Sequence, residues 1–183
     1  GRGTEDCNGH GTHVAGTVAG TYAGVAKQAT IVPVRVLDCD GIGDGGGLIA
    51  GLQWVIDHHQ DGTPAVLNMS LGGASTSSTI DSWVNAVMQD GVTAVVAAGT
   101  ETKDACTTSP ARVTGALTVA ASNRYDQQTS FSNFGPCVDL YAPGQEISSA
   151  WHTSPTAMKS AHGTSMATPH VAGAAAVLLA QQP

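Results

Sequence analysis

Short apolar runs alternate along the chain with longer stretches whose apolar residues recur at helical spacing. The runs at residues 30–37 (TIVPVRVL), 65–69 (AVLNM), 93–98 (TAVVAA) and 116–121 (ALTVAA) predict buried strands. Between them, residues 48–58 (LIAGLQWVIDH) and 80–88 (IDSWVNAVM) predict amphipathic helices, and residues 171–179 a further apolar one. Clusters rich in Gly and Ser at 41–47, 72–78 and 99–109 mark the ends of these elements. Strands alternating with helices imply parallel βαβ units and a sheet covered on both faces. One α/β domain is expected, with function in the loops at the carboxyl ends of the strands.

Composition narrows the function classes. Only 11% of the 183 residues are charged, and 7 basic residues stand against 14 acidic ones, for a net charge of −7. A coiled coil, a charged disordered tail and a nucleic-acid partner are therefore excluded. No apolar run approaches a membrane span, so no membrane partner is expected either. The chain lacks an initiating Met and a signal-peptide pattern, and suggests the middle of a longer product. Cys7, Cys39, Cys106 and Cys137 form no C-x-x-C pair, which argues against zinc ribbons and redox centres. Spacing alone is compatible with disulfides or with four reduced, buried thiols. Three pairings are open, and the sequential one closes two loops of similar length, each stabilising by about 3–4 kcal/mol on a chain-entropy argument.

Two segments carry chemistry: residues 8–17 (NGHGTHVAGT) and 163–173 (GTSMATPHVAG). Ser165 precedes an apolar helix. An ordinary helix would use it as a cap. A nucleophile there would gain from the positive end of the helix dipole, with its own N–H facing a developing oxyanion. A Ser hydroxyl still needs a base, and His10, flanked by Gly9 and Gly11, offers an accessible imidazole.

HGTHVAGT and GTSMATPHVAG resemble the histidine and serine motifs of the subtilisin-like serine proteases, the subtilases. Between them NMSLGG (68–73) and VVAAG (95–99) resemble two further family segments in the family's order. DCNGHGTHVAGT and SNRYDQQTSFSNFGPCVDLYAPG (122–144) are similar to the proteinase K branch and its aqualysin-like members. The resemblance spans essentially the whole chain. It implies a three-layer α/β fold with a mostly parallel central sheet, truncated at both ends, so that residues 1–183 form a partial catalytic domain. It further implies a secreted, monomeric endopeptidase acting on polypeptides, made with an N-terminal pro-segment and using no organic cofactor. Disulfides Cys7–Cys39 and Cys106–Cys137 follow from the same likeness.

Carried over residue by residue, Ser165 resembles the nucleophile and His10 the general base, with the Ser165 N–H as one oxyanion donor. Gly41-Ile42-Gly43 and Ser70-Leu71-Gly72 resemble two edge strands that sandwich an extended substrate. Ala97-Ala98-Gly99 resembles a wall of the specificity pocket, whose small side chains imply a broad apolar preference. His13 and His170 read as structural, and His58-His59 as a solvated helix end. A calcium ion is implied at the Asp139 carboxylate with the carbonyls of Thr114 and Ala116. Ser109-Pro110 matches a family position whose peptide bond is cis.

Two departures stand out. The family's triad Asp lies well before the histidine motif, whereas this chain starts nine residues before His10, and Asp6 is too close in sequence to serve. In subtilisin itself, loss of that Asp costs about 3 × 10⁴ in kcat, so the 183-residue chain alone is expected to be nearly inactive. In addition, Thr100 stands where the family has an Asn that donates to the oxyanion. The Thr hydroxyl stops about 1.5 Å short, unless a neighbour such as Thr102 substitutes; the loss known for subtilisin is about 10²–10³ in kcat. A non-cleaving homologue that grips extended peptides is the rival reading. An α/β-hydrolase is weaker, because GTSMA lacks the second Gly of G-x-S-x-G and the His precedes the Ser.

Overall fold

A computed structural model describes residues 5–181. Four parallel strands, β1 (Val66–Met69), β2 (Thr93–Ala97), β3 (Leu117–Ser122) and β4 (Leu140–Pro143), form a sheet in that order. The strict alternation of a pleated strand explains the layers. On β2, Ala94 and Val96 face one way, into a core with Val84 and Val87 of α3 (Ser78–Gln89) and Leu52 of α2 (Gly45–His58). Val95 of β2, with Val119 and Ala121 of β3, faces the other way, onto Ala167 and Ala172 of α4 (Thr164–Gln181). Helix α1 (His10–Ala19) packs along α4, and an antiparallel hairpin of β5 (Ile147–Ala150) and β6 (Met158–Ala161) packs on α1. The result is the three-layer α/β arrangement, with helices on both faces of a parallel sheet.

Two disulfides, Cys7–Cys39 and Cys106–Cys137, tie loops at the sheet's periphery. The Ser109–Pro110 peptide is cis.

The segment at 30–37 is a correction. It has no regular secondary structure, and Val32 is 61% exposed. A run with the composition of a buried strand needs a strand on each edge, and none of the described strands forms a ladder with it. Between it and β1 lies a groove of about 890 Å³, lined also by Asp6, His10, Asn68 and Ser70. His59 is a second correction. Its side chain is only 7% exposed, and its ring bridges Asp90 Oδ2 (2.9 Å, from Nδ1) and the Thr63 carbonyl (2.8 Å, from Nε2).

Candidate active site

Helix α4 begins at Thr164, earlier than its apolar run suggests, so Ser165 stands inside the first turn. Gly163 makes that start possible. Its φ is +142°, and a Cβ there would lie 3.6 Å from the Ser165 nitrogen. The Gly163 carbonyl accepts from Met166 and Ala167, which closes the turn. Among the described residues the Ser165 amide has no acceptor, as the first N–H groups of a helix do not. The Ser165 hydroxyl donates to the Ser70 carbonyl at 2.9 Å, just beyond the end of β1. Pro169 lacks the N–H that would bond the Ser165 carbonyl, while the Thr168 hydroxyl donates to Thr164 O at 2.7 Å and steadies the same turn.

His10 is the first residue of α1 and lines the groove that also contains Ser70. Ser70 thus connects the two: its carbonyl holds the Ser165 hydroxyl, and it shares the groove with the imidazole. No described residue hydrogen-bonds the His10 ring. Burial holds the imidazole below its ordinary pKa, the charge of His13 pushes it further down, and Asp6 opposes both. A neutral ring at neutral pH is the form that can accept a proton.

His13 is fully buried, and its Nε2–H is shared between the Ile147 and Lys159 carbonyls, each at 3.0 Å. It fastens α1 to both strands of the hairpin. His170 donates from Nδ1 to Met166 O at 2.9 Å, within α4. Both have the structural surroundings that their sequence context suggests.

Ala97 ends β2, and Ala98 and Gly99 follow it beside α4, where the Gly99 N–H donates to the Thr164 hydroxyl at 3.2 Å. Thr100 follows in an exposed turn, and its Cγ2 lies 3.8 Å from where a Gly163 Cβ would be. Among the described residues its hydroxyl has no partner. Thr102 does not replace it, because its hydroxyl donates to Ser130 O at 2.9 Å. The residue that shapes this turn is one that sequence reasoning misses. Asn133, fully buried, accepts from the N–H groups of Glu101 and Lys103 and donates to Ala98 O and the Glu101 carboxylate. A polar Asn in a run of Ser and Phe (SFSNFG) is the only sequence signal for it.

Gly41-Ile42-Gly43 forms an exposed turn closed by the Asp38 N–H on the Ile42 carbonyl (2.8 Å), and Ile42 is 67% exposed. A Cβ on Gly41 would lie 3.2 Å from Nδ2 of Asn8, so this turn abuts the loop before His10. Ser70-Leu71-Gly72 leaves the end of β1, with Gly73 N–H bonded to Ser109 O at 2.9 Å. Neither tripeptide is paired into a strand.

Asp139 and the pair Thr114 and Ala116 precede neighbouring strands β4 and β3. Asp139 Oδ2 accepts from Thr118 N–H at 2.8 Å, and Oδ1 has no partner among the described residues. The unengaged carboxylate oxygen of Asp139 is a hard-oxygen donor of the kind Ca²⁺ takes. No group of three or more His, Cys, Asp or Glu side chains that could hold a metal occurs among the described residues.

A sequence profile of the subtilase family (peptidase S8) matches residues 1–183. The chain is 58% identical over 179 residues to an extracellular serine proteinase of Thermus sp. (strain Rt41A), covering 98% of this chain and 43% of that protein. It is 52% identical over 174 residues to the alkaline serine exoprotease A of Vibrio alginolyticus, covering 95% of this chain and 32% of that protein. Among solved structures, a cold adapted subtilisin-like serine proteinase is 52% identical, with a TM-score of 0.93 over 97% of this chain and 63% of that one. The chain therefore spans less than half of these two relatives' length. With the layered fold, the Ser165 turn and a profile match over its whole length, the chain belongs to the subtilase family of subtilisin-like serine proteases.

Proposed function

We propose that this chain is part of the catalytic domain of a secreted serine endopeptidase. The observation that carries the reading is the Ser165 turn: a hydroxyl at the start of α4, an unengaged N–H on the same residue, and His10 at the start of the helix packed alongside. In this mechanism His10 takes the Ser165 proton as Oγ attacks the peptide carbonyl. The carbonyl oxygen, now negative, is held by the Ser165 N–H, aided by the α4 dipole. His10 then gives the proton to the leaving amine, and water hydrolyses the acyl-enzyme by the reverse sequence. Before substrate arrives, the Ser165 hydroxyl donates to Ser70 O, so attack requires the hydroxyl to turn toward His10.

Asp6 is saturated by other donors and cannot be the third member. A carboxylate from a segment outside this chain, seated in the groove beside His10, completes the site in this reading. The buried Oδ1 of Asn68, which has no partner among the described residues and lines the groove, supports such an occupant. The chain alone is accordingly nearly inactive. The turns at 41–43 and 70–72 would flank an extended polypeptide, and Ala97, Ala98 and Gly99 would form an apolar pocket wall. Asp139, with the carbonyls of Thr114 and Ala116, would hold a stabilising Ca²⁺. Extracellular relatives and two disulfides support secretion. A monomer made with a pro-segment completes the proposal.

The second reading, a peptide-gripping homologue with impaired cleavage, is favoured by Thr100. Steady-state hydrolysis of a chromogenic peptide by the complete protein separates the two. Turnover that Ser165→Ala lowers by about 10⁴-fold or more supports the protease. Peptide binding without turnover supports the rival.

A further inference from the structure

Helix α1 starts in a way that demands an external cap. Its N-cap is Gly9, with φ +102° and no side chain to accept the first helical N–H groups. A Cβ at Gly9 would come within 2.5 Å of the Trp151 and His152 rings, so the position cannot carry its own cap. The carboxylate of Asp6 takes that role from three residues earlier. Its Oδ1 accepts from Asn8 N (3.0 Å) and Gly9 N (2.7 Å), and its Oδ2 from Thr12 N (2.7 Å) and the Thr12 hydroxyl (2.6 Å). Asn8 Oδ1 accepts from His10 N at 3.2 Å, and Asn8 Nδ2 donates to Cys39 O at 3.1 Å. Between residues 8 and 12, the backbone N–H groups of all but Gly11 are thus held by Asp6 or Asn8.

We propose that Asp6 is a positioning residue for His10. It locks the backbone from which the imidazole projects, and it sets a permanent negative charge beside a ring that must become cationic as it takes the Ser165 proton. It does not compete with a triad carboxylate, because both its oxygens are already occupied. The charge persists at any working pH. Burial pushes the Asp6 pKa up, but the hydrogen bonds from Thr12, Gly9 and Asn8 outweigh it and hold the value at about 2. Among the described residues, the other titratable or charged groups around His10 are His13 on α1, His152 beside Gly9, His170 on α4, and Arg35 and Asp38 across the groove.

This inference rests on the protease reading for its kinetic consequence but not for its electrostatic one, and the test uses both. In the complete protein carrying Ser165→Ala, the His10 ring is titrated by carbon-edited NMR with and without Asp6→Asn. The expected result is a His10 pKa lowered by Asp6→Asn. In the active background, kcat falls about tenfold or more while KM changes less than about twofold, and the acid limb of the kcat/KM profile moves to lower pH. Thr12→Val removes one donor and leaves the charge, so kcat falls with the His10 titration unmoved. A folded Asp6→Asn protein with titration and kcat both unchanged overturns the proposal. If Asp6→Asn does not fold, a Thr12→Val protein with kcat within about twofold of the parent overturns it equally. A parent without turnover whose His10 titration still shifts on Asp6→Asn supports the coupling and sinks the protease reading instead.

Discussion

Thr100 presents a methyl group, not an amide, toward the turn that holds Ser165. Its hydroxyl, which has no partner among the described residues, is a shorter donor than the Asn that the family resemblance implies at this position. In the complete protein, Thr100→Asn should therefore raise kcat, by up to about 10²-fold, with little change in KM. An unchanged kcat would mean that the oxyanion is already served by other donors. Asn133 acts on the same turn from behind. It makes four hydrogen bonds from a fully buried position, and Asn133→Ala strands several of their partners. The expected cost is about 2–4 kcal/mol in chemical denaturation, together with a lower kcat. Neither role is legible from the residue type alone. The motif identifies Ser165 and His10, but the carbonyl that holds the Ser165 hydroxyl, Ser70 O, comes from a distant segment.

Among the elements, β2 and β3 are the most legible, since strands buried on both faces must be apolar throughout. Helix α1 is not legible in this way, because HGTHVAGTVA combines Gly, Thr and β-branched residues of low helical propensity. Its helicity comes from the Asp6 cap and from packing on α4. Strands β5 and β6 (ISSA, MKSA) carry no apolar run, and β4 (LYAP) only a short one that ends in Pro; all three are defined by their neighbours. The segment at 30–37 shows the converse: strand-like composition that forms no ladder with any described strand. His59 and Asp90, the C-caps of α2 and α3, join two helix ends. The His59 pKa is raised, chiefly by the Thr63 carbonyl against an opposing effect of burial, with Asp90 adding to the rise. A folded-state pKa above the ordinary 6.5 makes this contribution fully present below that pH. It is lost as pH climbs through the raised value. Tm should thus fall from about pH 6 to about pH 8, and His59→Asn should flatten that slope. A slope that survives the substitution would assign it to other groups.

At the scale of the molecule, two disulfides with sequence separations of 32 and 31 secure a chain that is rich in Gly and small residues. Opening Cys106–Cys137 should cost about 3–4 kcal/mol in chemical denaturation, and a loss below about 1 kcal/mol would show that packing alone holds that loop. The layered fold brings the β1 and β2 ends, the α4 turn and the α1 start to one edge of the sheet, as open α/β proteins do. The central claim is that Ser165 is a nucleophile activated by His10. It is tested most directly by treating the complete protein with a fluorophosphonate and mapping the adduct by peptide mass spectrometry. The account predicts a single adduct on Ser165, lost in Ser165→Ala and strongly slowed in His10→Ala. A folded complete protein that stays unlabelled at Ser165 would contradict it.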